Sequence, residues 1–85
     1  MTDHPKQPLI DDAVKIGRNL IERGIDIPES LMVVYRLLIE GGLGQDKIID
    51  TFIRITGKGS SRRIYFRCRH RYEQEVKNRN NKENP

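Results

Sequence analysis

Apolar residues recur along this chain at every third or fourth position, in four stretches separated by glycine or proline. Ile10, Ala13, Val14, Gly17, Leu20, Ile21 and Gly24 fall on one stripe about 120° wide, which predicts a helix over residues 10–23. Asp11 and Asp12 suit the positive end of its dipole, and Gly24 suits its C-terminal stop. Asp26-Ile27-Pro28-Glu29-Ser30 then reads as a helix start, with proline in the first turn and an acid beside it. Leu31, Val34, Tyr35, Leu38 and Ile39 form the inward face of this second helix, and Gly41-Gly42 ends it. Met32, Val33 and Leu37 make it apolar nearly all round. Such a helix is central, or shared with a second subunit, so these three residues are the expected dimer surface.

Residues 44–56 place Ile48, Ile49, Phe52 and Ile55 on one side of a third, shorter helix. Thr56-Gly57-Lys58-Gly59-Ser60-Ser61 is a tight break, with two glycines for positive φ and two serines able to cap the next helix. That fourth helix is predicted over residues 61–77. Residues 1–8 hold two prolines and no periodicity, as a flexible arm would, and residues 78–85 have no apolar side chain, the pattern of a disordered tail. No stretch alternates like a strand. The expected fold is therefore all-α, a single domain over residues 9–77 built as a small bundle of about four helices. At 85 residues the chain is too short for two cores.

Charge changes the picture in one place. Residues 1–57 carry seven basic and nine acidic side chains, whereas residues 58–85 carry nine basic and three acidic ones. Between Lys58 and Tyr72 stand Lys58, Arg62, Arg63, Arg67, Arg69, Arg71 and His70, with no Asp or Glu. At 100° per residue, Ile64, Tyr65, Cys68, Tyr72 and Val76 share one face of the fourth helix, while Arg63, Phe66, Arg67, His70, Arg71 and Gln74 share the opposite one. One face packs and the other presents guanidinium groups to a polyanion, as a pI near 9.5 also suggests. Guanidinium forks two hydrogen bonds onto guanine or a phosphate, and an α-helix fits the major groove of duplex DNA. A short helix, a glycine turn and a basic helix stand in the order of a helix-turn-helix, here about residues 45–72. The expected DNA-contacting set is Lys58, Gly59, Ser60, Ser61, Arg62, Arg63, Phe66, Arg67, His70 and Arg71, with the amides of residues 59–62 placed to hold a phosphate.

Leu37-Leu38-Ile39-Glu40-Gly41-Gly42, a short helix, a glycine-bearing turn and a helix led by Ser60-Ser61-Arg62-Arg63-Ile64 resemble the small regulators of mobile elements and fimbrial operons, the Kor-type plasmid repressors and pap-type regulators. The resemblance covers roughly residues 28–72. It departs where Thr51, Phe52 and Ile53 stand in place of a small mid-helix residue, and in a turn about one residue longer. It implies a dimeric, all-α transcription regulator binding operator DNA, and so a repressor of a plasmid or phage operon acting on an inverted repeat.

Other uses of the same residues stay open. Phe66 meets a thymine methyl, stacks on a base, or packs on the N-terminal arm or a second subunit. His70 is a phosphate contact or inert. Arg69–Glu73 and Arg71–Glu75 are spaced for ion pairs, each worth about 0.3 kcal/mol. An arginine-rich helix also suits an RNA hairpin, and a basic face also suits an acidic protein partner. An enzyme is not expected, because no nucleophile stands with a base, and Gly57-Lys58-Gly59-Ser60-Ser61 lacks the spacing of a nucleotide-binding loop. The lone Cys68 with His4 and His70 makes neither a disulfide nor a metal ligand set, so no cofactor is expected. A polar N-terminus and the lack of an apolar run of about 20 residues favour a cytoplasmic protein.

Overall fold

The computed structural model describes residues 6–57 and 59–83, except for the side chains of residues 80–83. Four α-helices make up the fold: α1 (Gln7–Glu22), α2 (Ile27–Glu40), α3 (Gln45–Thr56) and α4 (Ser61–Glu83), with no strand among the described residues. The small all-α bundle expected from the periodicity is what forms. Two boundaries move. α1 begins at Gln7, inside the expected arm, because Pro8 suits a first turn and the Gln7 amide donates to Asp11 Oδ1 at 2.9 Å. Asp11 and Asp12 therefore sit past the first turn and not at the dipole's positive end. The expected arm at residues 1–5 lies outside the described residues.

α4 runs on to Glu83, through most of the expected disordered tail. No glycine or proline stands between Ser60 and Asn84, so nothing local stops a helix already nucleated, and each further residue adds one backbone hydrogen bond. Residues 84–85 lie outside the described residues.

α1 packs against both α2 and α3, with Gly17 where the three meet. A Cβ there would lie 2.7 Å from Ile55 Cδ1 and 3.1 Å from Val34 Cγ2, so any larger residue would force these side chains to shift. Phe52, Leu31, Leu38, Ile48 and Val34 are fully buried at the centre. Buried hydroxyls are satisfied locally: Thr51 donates to the Lys47 carbonyl at 2.7 Å, and Ser30 to the Ile25 carbonyl at 3.3 Å.

An aromatic cluster locks α4 to the rest. The Tyr35 ring of α2 lies 5.7 Å from Tyr65 and 5.6 Å from Tyr72, and Phe52 of α3 lies 6.5 Å from Tyr65. These are favourable edge and tilted geometries. Burial pushes the Tyr35 phenol up to about 12.

Met32 corrects the expected dimer surface. It is 3 % exposed and packs between α2 and α4, because α4 covers that side of α2. Val33 is exposed and Leu37 half-buried, so the apolar surface of α2 is buried mainly within the chain's own fold.

Candidate nucleic-acid interface

The break between α3 and α4 is built by two glycines. Gly57 has φ of 90° and Gly59 of 103°, the left-handed region that side chains disfavour. Each has open space where a Cβ would stand, so conformation and not crowding requires glycine. The Gly57 amide closes α3 by donating to the Ile53 carbonyl at 2.7 Å, and the Ile64 amide opens α4 by donating to the Ser60 carbonyl at 2.9 Å. Across the break the Thr56 and Ser61 hydroxyls meet at 3.3 Å, while Thr56 also donates to the Phe52 carbonyl at 3.0 Å.

These contacts fix the rotation of α4 about its own axis. Ser61, Tyr65 and Cys68 point inward and are buried, with Ile64, Tyr72 and Val76 half-buried beside them. Arg62, Arg63, Phe66, Arg67 and His70 are left on the exposed side. Among the described residues, Arg62, Arg63 and Arg67 make no ion pair. Phe66 stays 44 % exposed, with its ring meeting the Tyr65 ring edge-on at 5.2 Å. It packs on one side and is open on the other.

Farther along the same helix the arginines are engaged. Arg69 Nε donates to Glu73 Oε2 at 3.2 Å. Arg71 donates to Glu29 Oε2 of α2 at 2.6 Å and faces Glu75 Oε2 at 3.5 Å, and Glu75 in turn faces Arg36 of α2 at 2.5 Å. The result is an alternating chain Glu29–Arg71–Glu75–Arg36 along the seam between α2 and α4. The hydrogen bond to Glu29 raises the already high pKa of Arg71, so its charge is permanent.

Of the expected contact set, the structure leaves Gly59, Ser60, Arg62, Arg63, Phe66, Arg67 and His70 exposed. Ser61 faces α3, and Lys58 lies outside the described residues. Arg71 sits on the seam, held by two carboxylates. Glu29 and Arg36 are not legible in the sequence as members of this chain, since a pairing across 42 residues has no local signature. Nor does the apolar spacing mark Ile16, Ile25 and Ile27, yet they are exposed, as Val33 is.

Cys68 is buried, and burial pushes its thiol up to about 11. No group of three or more His, Cys, Asp or Glu able to hold a metal occurs among the described residues. No described helix is long and apolar enough to cross a membrane. No family model, curated protein or solved structure matches the chain.

Proposed function

We propose that the chain is a sequence-specific DNA-binding regulator, acting as a homodimeric repressor of a mobile-element operon, in which the first two turns of α4 enter the major groove. The observation that carries this reading is the acid-free exposed face of Arg62, Arg63, Phe66, Arg67 and His70, borne on a helix whose other side is buried. An exposed row of uncompensated guanidinium groups repels itself and has little use in solvating a surface. Phosphates and guanine edges supply the partners it lacks.

α3, the glycine break and α4 have the order of a helix-turn-helix, so α3 would brace on the backbone while α4 reads bases. The amides at the start of α4 would hold a phosphate. With Met32 in the core, dimerisation falls to the exposed Val33 and half-buried Leu37 of α2, joined by Ile16, Ile25 and Ile27. A two-fold dimer presents two copies of α4, which calls for an inverted repeat.

Selection from a random duplex library at near-physiological salt tests this directly. An enriched inverted repeat is the expected result, with a dimer by sedimentation at micromolar concentration. No enrichment over the input, or preference for an RNA hairpin in competition, would sink the reading.

A further inference from the structure

Between the first turns of α2 and the middle of α4 lies a cavity of about 300 Å³. Its floor is made by buried Met32 and Cys68 with half-buried Ile64, and exposed Pro28 stands beside them. Its charged lining is Glu29 of α2 with Arg67 and Arg71 of α4, all exposed. That volume equals roughly ten water molecules of liquid, at the lower end for small-ligand sites.

The charges on this rim do not cancel. Arg71 is engaged by Glu29 at 2.6 Å and by Glu75 at 3.5 Å. Arg67 has no carboxylate partner among the described residues. The floor adds no charge, because the buried Cys68 thiol stays protonated at neutral pH. An uncharged, largely apolar floor beneath one unmatched guanidinium selects a ligand with an apolar body and a single negative end. Guanidinium matches a carboxylate in fork geometry, with two parallel hydrogen bonds.

We infer that this cavity binds a small apolar monocarboxylate, an aromatic or medium-chain acid, with its carboxylate on Arg67 and its body over Met32, Ile64 and Cys68. Arg67 also belongs to the exposed basic face of α4, and one guanidinium cannot serve the acid and DNA together. The ligand therefore weakens DNA binding, which makes the cavity an effector site. This second consequence rests on the DNA-binding reading; the binding of the acid does not.

The test uses the full chain with methyl-labelled methionine, in which Met1 and Met32 are the only two reporters. Naphthoate is titrated in and the methyl signals are followed by NMR. A saturable shift of the Met32 methyl is expected, with affinity falling about tenfold in Arg67→Ala and about tenfold for the neutral alcohol naphthylmethanol. Arg67 is exposed, so the variant folds, and an unchanged Met32 signal without ligand checks it. A Met32 methyl that stays in place up to millimolar naphthoate, or equal affinity for acid and alcohol, overturns the inference. On any duplex the chain is found to bind, saturating naphthoate should lower the affinity; unchanged affinity would remove the effector role. Naphthoate binding in a protein with no DNA affinity would leave the cavity standing and reject the DNA reading.

Discussion

The arginines of the first two turns of α4 and those of its third turn are put to opposite uses. Arg62, Arg63 and Arg67, in the first two turns, stand exposed without an ion pair among the described residues. Arg69 and Arg71, one turn farther on, are tied to Glu73, Glu75 and Glu29. The side-chain chemistry is identical, so the difference lies in which carboxylates come within reach. Glu73 and Glu75 arrive through the helical repeat, but Glu29 arrives from α2 because the aromatic cluster seats α4 against it. An arginine-rich helix is thus not uniformly a polyanion-binding surface. Its free end is the part that no acid reaches.

Unseating α4 has the largest expected effect. Tyr65→Ala removes the ring that meets Tyr35, Phe52 and Phe66, and should cost about 3 kcal/mol or more. In a domain this small that approaches the whole stability, so a chemical denaturation curve should lose its folded baseline. A loss below about 1 kcal/mol would show that α4 is held by something other than the cluster.

The free half is then tested without touching the fold. Arg63→Ala should lower affinity for the selected operator by about 1–3 kcal/mol if it reads guanine, and shift unfolding by no more than about 0.5 kcal/mol. Equal loss on every sequence would make it a phosphate contact.

The packed seam, Cys68 on the inward face of α4 and Tyr35 on the facing side of α2, has its own signature in pH. Tyr35 is pushed up to about 12 and Cys68 to about 11, from ordinary values of 10.0 and 9.0. The folded state holds both protons more tightly than the unfolded chain does. Their contribution is therefore full below pH 9 and is lost as pH rises toward 12. Urea midpoints measured across this range should fall. In Cys68→Ala the part lost between pH 9 and 11 should shrink by on the order of 1 kcal/mol; an unchanged profile would assign it to other groups.

The smallest effects belong to the tethered half. Arg71→Ala should cost only about 0.5 kcal/mol, since its pairs are half exposed and screened by salt. On any duplex the chain is found to bind, it should leave the salt dependence unaltered. Glu29→Gln should cost about as little stability yet steepen the slope of log affinity against log salt by about one, as the released Arg71 becomes available to a phosphate. An unchanged slope would mean that Glu75 alone is enough to hold Arg71 away.

Much of this is legible in the chain. Periodicity locates four helices, because the spacing that puts residues on one face is a local property of the backbone. The glycines at 57 and 59 announce their own positive φ for the same reason. The sorting of α4 into a packed face with Tyr65 and Cys68 and an exposed one with Arg63 and Arg67 also comes from spacing alone. The ends of α1 and α4 escape the same reading, because apolar periodicity marks where a helix is buried and not where it stops. Nothing local interrupts α4 before Glu83.

Partnership, by contrast, arises only when the helices are packed together. Met32 reads as surplus apolar surface until α4 is laid over it, and Arg71 reads as a free cation until Glu29 stands 2.6 Å away. The cavity they border with Arg67 exists only once the two helices are in place. Such pairings join residues far apart in sequence through the rigid placement of whole helices. That placement comes from the collective packing of the core, which no single spacing in the chain encodes.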